Sequence, residues 1–415
     1  MSADNSQFDI LVAGGGMVGS SMALGLIAQG WRVALVESQP LEALVSAVAD
    51  AGTAADFEPR VSAISPASAA LLSRLGVWSD VLTQRHCAYQ AMEVWDGDGT
   101  GRIRFDADEL HAPELGVIVE NRILTQALFQ ALTRSKVALF SGVRIKSMAM
   151  SDGRRVVGLD SGQVLTADLV VASDGAHSRI RQWSGLPTRE WDYDQHAVVC
   201  TVETELDHQF TAWQRFTQTG PLALLPLLTE SGASRFCSVV WSQDTDEARR
   251  LMALDDQAFC VAIGRAFEHR LGAILGVSKR YSFALRQCHA KDYVDAGVVL
   301  VGDAAHSIHP LAGQGANLGF SDVRVLLDEL AQARITQRPA SDDAVLHRYQ
   351  RRRKGENLAM MAAMEGFKRL FARDELSLRW LRNTGMRWLN RTPGLRNRFA
   401  IEAMGLRSQP DQTGD

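Results

Sequence analysis

Three clusters of glycine and acid carry the chemistry open to this 415-residue chain. The first, Gly14-Gly15-Gly16-Met17-Val18-Gly19, matches G-x-G-x-x-G through Gly14, Gly16 and Gly19, and Glu37 follows about 23 residues after the first glycine. Glycines at this spacing permit a tight turn, a close backbone approach to a pyrophosphate and close helix–strand packing, and an acid at that distance suits a ribose hydroxyl. The second is Asp174-Gly175 with Ser178 and Arg181, and the third Gly302-Asp303-Ala304-Ala305-His306, running on through Pro310, Gly313, Gln314, Gly315 and Asn317. An acid at a strand end holds a sugar or polyol hydroxyl, and amides at the following turn and helix start face an anion or a polarised carbonyl. An acid at 37 disfavours a 2′-phosphate, so the adenine half read here is that of FAD or NAD.

Each cluster needs a strand before it and a helix after it. Phe8–Ala13 and Trp31–Val36 read as buried strands flanking a helix over Ser20–Gln29, Ala167–Ala172 as the strand before Asp174, and Ala296–Val301 as the strand before Gly302. Leu318–Leu330 has helical spacing. Residues 38–59 read as a loop, leading to Arg60-Val61-Ser62-Ala63-Ile64; Arg60 is either a surface charge or a ligand neighbour. Met92–Phe105 carries a hairpin signal, and Asn121-Arg122 opens an amphipathic helix. Between 190 and 290 the chain turns rich in aromatic and β-branched strands, with one helical stretch over Asp255–Glu268. These signals predict an α/β fold: a Rossmann-like nucleotide-binding domain, an inserted sheet-rich domain and a helical C-terminal tail. The expected boundaries are 1–85, 112–188 and 290–340 for the first, 86–111 and 189–289 for the second, and 341–415 for the third.

Composition limits the alternatives. A net charge of -4 and 46% hydrophobic residues describe a globular protein and argue against nucleic-acid binding. Cys87, Cys200, Cys237, Cys260 and Cys288 are scattered without a C-x-x-C pair, which fits reduced thiols and predicts no metal site. Without a leader-like start or a long apolar run, the expected location is cytoplasmic. After Ala344 Lys and Arg outnumber Asp and Glu roughly three to one, beginning with Arg351-Arg352-Arg353-Lys354. That tail reads either as helices with basic outer faces or as a dock for an anionic membrane surface or a partner.

The three clusters, in this order, resemble the class A flavoprotein monooxygenases, the family of p-hydroxybenzoate hydroxylase. Arg60–Ile64, Leu75-Gly76-Val77-Trp78, Met92–Asp96, Val119-Glu120-Asn121 and His309–Gly315 resemble its ubiquinone-biosynthesis hydroxylases. Trp191-Asp192-Tyr193, Cys237–Ser242 and Met364–Phe367 are similar to the branch acting at ring C5 (also numbered 6) of a 2-polyprenylphenol. The resemblance implies FAD, with NAD(P)H as reductant, O2, and a flavin hydroperoxide that hydroxylates a polyprenylphenol. It implies that Gly14, Gly16 and Gly19 hold the pyrophosphate, Glu37 the adenosine ribose, and Gly302 and Asp303 the ribityl or pyrophosphate region. Asp174 and Gly175 would serve both FAD and the nicotinamide donor, and Arg60 and Arg122 would lie near the flavin. The segment Pro310–Asn317, with Gly313, Gln314, Gly315 and Asn317, would cover its ring. One departure is Ala316, where the family pattern carries Val. His306 and Pro310 are the flavin-adjacent candidates for catalysis; position alone leaves His306 either structural or a general base. A membrane-borne substrate gives the basic tail a reason to dock peripherally at the inner face, or on companion biosynthetic proteins. A flavin-binding scaffold without turnover, a reductase or halogenase on the same fold, and a plain NAD dehydrogenase remain as alternatives; no W-x-W-x-I-P halogenase motif occurs.

Overall fold

The computed structural model describes residues 6–40, 51–97, 99–307 and 315–372, together with 383–386, 388, 390, 392, 394, 397 and 401. An eight-stranded sheet forms the first layer, in the order Val294–Asp295, Val298–Leu300, Val164–Ala172, Gln7–Ala13, Val33–Glu37, Ala138–Ser141, with the hairpin Ile145–Ser151 and Arg154–Leu159 beside Val164–Ala172. Its four central pairings are parallel. Strands covered on both faces must be apolar throughout, which is why DILVA, VALVE, DLVVA and VVL are near-continuous hydrophobic runs. Helices Met17–Ala28, Asn121–Arg134 and Gly315–Ile335 share this core. Gly25 sits where Met17–Ala28 crosses Gly315–Ile335; a Cβ there would come within 2.3 Å of Leu327.

Register puts the functional loops together. Ala13 lies opposite Ala172, and Ala172 opposite Leu300, so three neighbouring parallel strands end level. The chain leaves them as Gly14, as Ser173-Asp174 and as Val301-Gly302, three loops far apart in sequence at one sheet edge. This is the crevice in which open α/β sheets bind ligands.

A nine-stranded sheet forms the second layer. It runs His306–Ser307, Tyr281–Ala290, Thr188–Thr204, Phe236–Asp244, Gly220–Leu227, Thr211–Thr217, Ala91–Asp96, Arg102–Asp106, with Ile274–Val277 also beside Thr188–Thr204. Its faces differ in kind. One presents Trp95, Trp213, Trp241, Val198 and Val239 to the helices Thr245–Ala253 and Asp256–Ala266. The opposite face, by alternation, presents Ala197, Val199, Thr201, Ala223, Ser238 and Val240. The helix Thr245–Ala253 and the strand Ile274–Val277 carry no signal in the sequence reading; both are short and take their stability from packing on this sheet. All five cysteines are free thiols, and burial pushes Cys87 and Cys200 up to about 12, which makes them inert.

A three-stranded sheet, Val61–Ile64, Gly116–Glu120 and Cys87–Tyr89, stands between the two layers. Beneath it Arg85 donates to Glu120 at 2.5 and 3.0 Å, to Glu230 at 3.1 Å and to the Asp56 carbonyl at 2.8 Å. Glu120 also accepts from the Glu58 amide, and Glu230 from the Ala51 amide. One guanidinium therefore fixes residues 51–58, a stretch the sequence shows only as loop. Of the remainder of that loop, 41–50 lie outside the described residues. Arg85→Met leaves Glu120 buried and without its cation, so the expected loss is roughly 3 kcal/mol of unfolding free energy. Urea denaturation checks this, and a loss under about 1 kcal/mol contradicts the clamp.

Candidate active site

The glycines of the first cluster divide by what surrounds them. Gly14 has φ of 101°, and a Cβ there would lie 2.5 Å from the Ser173 carbonyl. A Cβ on Gly19 would lie 1.9 Å from the Gly14 carbonyl oxygen, so this position must be bare for the helix to close on the strand. Gly16, at the helix N-cap, has nothing within 4 Å of a Cβ. Packing does not require that glycine; the open side is a cradle over helix amides, where an anion sits well. Glu37 accepts from the Gly15 amide at 2.6 Å on one oxygen and from Gln39 at 2.8 Å and Ser38 at 3.0 Å on the other. It shapes the loop and keeps lone pairs for a hydroxyl donor.

At the second cluster one Asp174 oxygen caps the helix Arg179–Trp183, accepting from Arg179 at 2.8 Å. The other is buried without a hydrogen-bond partner among the described residues. Gly175 has φ of 84° and open space around it. Arg181, buried, donates to the Ala304 carbonyl and to the Ala176 carbonyl, both at 2.8 Å. It staples the second cluster to the third, a role its spacing alone does not disclose.

The third cluster rests on a carboxylate that the sequence reading passed over. Asp322, in the helix Gly315–Ile335, is fully buried. It accepts from the Gly302 amide at 2.9 Å, from His306 Nε2 at 2.6 Å and from Arg353 Nε at 2.6 Å. Desolvation works against its charge, but His306 and Arg353 prevail and hold it down to about 2. Arg353 also binds Asn357 at 2.8 Å; Asn357 reaches the Tyr293 hydroxyl at 3.1 Å, which shares a 2.9 Å hydrogen bond with His289. Burial first, then the neighbouring His306, Lys354 and Arg189, push His289 down to about 4.

The predicted site residues therefore take unequal parts. His306 is 2% exposed and spends Nε2 on Asp322, so it fixes the Gly302–Ser307 turn. Asn317 accepts from the Ser65 amide and Ser68 hydroxyl and donates to the Ala63 carbonyl, locking the helix start to the strand Val61–Ile64. Asp303 is open to solvent in a recess whose crowding raises its carboxyl, against the pull of His306 and Arg60. Arg122 has a buried Nε without a hydrogen bond, 3.9 Å from Glu58. Gly315 is the first residue of its helix, whereas Pro310, Gly313 and Gln314 lie outside the described residues. Among the described residues no His, Cys, Asp or Glu cluster could hold a metal ion.

The basic run divides: Arg351 and Arg352 are exposed, while several of its charges are tied to the body. Arg353 is buried, Arg348 and Arg352 pair with Glu329, and Lys354 pairs with Asp292. These pairs fasten the helix Asp343–Ala372 to the body.

The open Gly16 and Gly175, the Asp174 oxygen and Arg122 nitrogen that lack a hydrogen bond, and Asp303 fit a large polar cofactor with phosphates and hydroxyls. A family model described as "FAD binding domain" matches residues 7–363. The chain is 38% identical over 405 residues to the 3-demethoxyubiquinol 3-hydroxylase of Escherichia coli, covering 97% of this chain and 100% of that one. It is 34% identical over 446 residues to the zebrafish (Danio rerio) ubiquinone biosynthesis monooxygenase COQ6, covering 96% and 90%. In fold it is similar to p-nitrophenol 4-monooxygenase from Pseudomonas putida, with a TM-score of 0.74, 19% identity and coverage of 96% and 98%.

Two measurements check this site. Gly19→Ala is expected to cost roughly 3 kcal/mol in unfolding free energy. Gly16→Ala should leave stability within about 0.5 kcal/mol yet weaken retention of FAD on gel filtration. Equal loss of fold in both contradicts the division. In the second, His289 stays neutral in the fold below the 6.5 at which an exposed histidine takes a proton. The unfolded chain then binds more protons, so stability falls as pH drops from 6.5 toward 4, with a further decline toward 2 as Asp322 protonates. His289→Gln should flatten the 6.5-to-4 part of that profile; an unchanged slope overturns the assignment.

Proposed function

The chain belongs to the FAD-binding-domain family and, within it, to the FAD-dependent monooxygenases of ubiquinone biosynthesis; from that premise we propose that it inserts one oxygen from O2 into the ring of a polyprenylated phenol or quinol, with NAD(P)H as reductant. The observation carrying this is the level ending of three parallel strands, which sets Gly14–Gly19, Asp174-Gly175 and Gly302-Asp303 on one crevice. FAD, when bound, accepts hydride equivalents from the nicotinamide and activates O2. Gly14, Gly16 and Gly19 would hold its pyrophosphate, Glu37 the adenosine ribose, Asp303 and Gly302 the ribityl side, with Asp174, Gly175, Arg60 and Arg122 around it. Arg181, Asp322 and Asn317 hold those groups in place. Gly313, Gln314, Gly315 and Pro310 would cover the flavin ring. The protein's own part in the reaction is to orient the substrate ring, keep water out and stabilise charge developing on the ring oxygen.

The ring lies, in this reading, between the crevice and the small-residue face of the nine-stranded sheet, with the prenyl chain along apolar surface. Two ring positions compete: C5 of a 2-polyprenylphenol, which the short motifs resemble, and the carbon acted on by the 3-demethoxyubiquinol 3-hydroxylase. Whole-chain likeness outweighs short motifs, so we take a demethoxyubiquinol-type quinol as the substrate. The exposed Arg351 and the basic residues beyond Ala372 are the part of the tail we assign to docking on an anionic membrane face or on companion biosynthetic proteins. No helix among the described residues is long and apolar enough to cross a membrane.

Mass spectrometry after incubating FAD-loaded protein with NADPH, O2 and a short-chain polyprenyl quinol tests the proposal. The expected product is heavier by one oxygen, at the carbon that loses hydrogen. Peroxide without product places the substrate elsewhere, and a flavin-loaded protein that oxidises no NADPH favours the scaffold reading.

A further inference from the structure

Exposed apolar side chains are ordinary when scattered and informative when they share a surface. The strands Thr188–Thr204 and Tyr281–Ala290 pair as a ribbon in two stretches, 188–192 against 286–290 and 196–199 against 281–284. Along 188–192 the ribbon has no further partner strand among the described residues, because pairing with Phe236–Asp244 starts only at Gln195. Trp191 stands opposite Gln287, and Ala197 opposite Phe283. Gln287, Leu285 and Phe283 alternate onto one side of their strand, so Trp191 and Phe283 belong to a single face. It is the small-residue face of the sheet, where Leu285 packs with Ala197, Val199, Val240 and Tyr193. Trp191 is 45% exposed there and Phe283 43%.

The helix Asp343–Ala372 lies beside this ribbon. Lys354 donates to the Lys291 carbonyl and to Asp292, and Glu365 hydrogen-bonds the Tyr193 hydroxyl. Positions 354, 358, 361 and 365 form one stripe of a helix, so Leu358 falls between two residues that touch the ribbon, yet it is 43% exposed. Arg351, two turns before Leu358, and Ala362, one turn after it, are exposed as well. Apolar surface therefore lies open both on the ribbon and on the helix beside it. Alternation also sorts the charges. Arg189 falls on the side of Trp191, and both Arg189 and Lys354 neighbour His289. Glu190, Asp192 and Arg286 fall on the reverse side, with Arg286 3.3 Å from Asp192. The acids that do border the face, Glu365 and Asp292, are engaged by Tyr193 and Lys354. Cys288, next to Gln287, pairs with Ser307 at the end of the third cluster, so this surface adjoins the crevice.

We propose that Trp191, Phe283 and Leu358 enter the headgroup layer of an anionic bilayer, with Arg189 and Arg351 against its lipid charges, so that the prenylated quinol is taken up from lipid beside the crevice. The inference rests on the functional reading above and deepens it, because it gives membrane docking a place on the body of the protein. An indole, a phenyl ring and an aliphatic side chain with bases at their margin, and acids turned away or already engaged, form the composition that meets an anionic lipid surface. A prenyl chain partitions into lipid, and contact at this surface spares it a passage through water. Val261 is 47% exposed on the helix Asp256–Ala266, behind the opposite face of the sheet, and serves as the internal comparison.

The test uses FAD-loaded full-length protein: wild type, the double variant Trp191→Ser with Phe283→Ser, Leu358→Ser, Arg189→Gln and Val261→Ser. Co-sedimentation is measured with vesicles of mixed phosphatidylglycerol and phosphatidylcholine, and with vesicles of phosphatidylcholine alone. Wild type should bind the anionic vesicles more tightly. The double variant should bind them roughly tenfold more weakly, Leu358→Ser should weaken binding less, and Arg189→Gln should reduce the preference for anionic lipid. Val261→Ser should bind as wild type does. In the double variant KM for a farnesylated demethoxyquinol carried in the vesicles should rise, while kcat and KM for a water-soluble short-chain quinol stay unchanged. Flavin content and Tm should match wild type, because the substituted side chains are exposed. A wild type that stays in the supernatant, or a double variant that binds as tightly as wild type, overturns the inference alone. A double variant with unchanged vesicle binding and altered oligomeric size assigns the face to a second copy of the chain, and overturns it too. Wild type that binds vesicles but hydroxylates neither quinol overturns the functional reading, and with it the uptake of quinol at this face.

Discussion

The buried carboxylate of Asp322 is the constraint on which the rest depends. A charge with no access to water persists only where cations and donors surround it, and here each of those partners belongs to a different piece of the chain. Gly302 brings the end of a central strand, His306 the turn that joins the second sheet, and Arg353 the C-terminal helix. Position, more than net stability, is what such a network supplies. It holds the third cluster against the first two, while Arg181 makes the corresponding link from the second. The crevice is therefore assembled by side chains that do not themselves face it.

That division explains what could be read in advance. Gly14, Gly19 and Gly302 are dictated by backbone geometry, through a positive φ or a contact that excludes a Cβ, and geometry of that kind leaves a trace in residue type. The parallel strands are equally visible, because burial on both faces forces unbroken apolar runs. Asp322 and Arg353 left no such trace. One looks like a charge on an amphipathic helix, the other like a member of a basic run, and only the fold shows that they meet. His306 drew notice as a candidate base for the same reason: its residue type suggests chemistry, while its partner lies 16 residues away on a helix. The helix Thr245–Ala253 escaped notice although its apolar residues fall on one face, with Ala248 and Leu251 buried and charges on the other side.

The nine-stranded sheet divides its labour by face. Tryptophan and phenylalanine fill one side against two helices, which fixes the sheet's position and rigidity. With that side carrying the packing against the helices, the other side holds smaller residues, among them Ala197, Val199, Thr201, Ser238 and Val240. The tail closes one end of this surface, where Met386 packs with Ile103 and Phe216, and Asn383 accepts from the Gly101 amide.

The order of synthesis gives the Arg353–Asp322 pair a temporal meaning. The strand carrying Gly14 leaves the ribosome about 340 residues before Arg353 does, an interval of roughly 20–70 s at ordinary elongation rates. During that interval Asp322, once made, has no guanidinium, and the loop at Gly302 lacks its full anchor. A nascent chain of this kind can fold its early strands and helices but cannot complete the crevice, so flavin loading belongs to the finished polypeptide and not to the growing one. Premature termination before residue 353 would leave Asp322 without its guanidinium and the third cluster without this anchor.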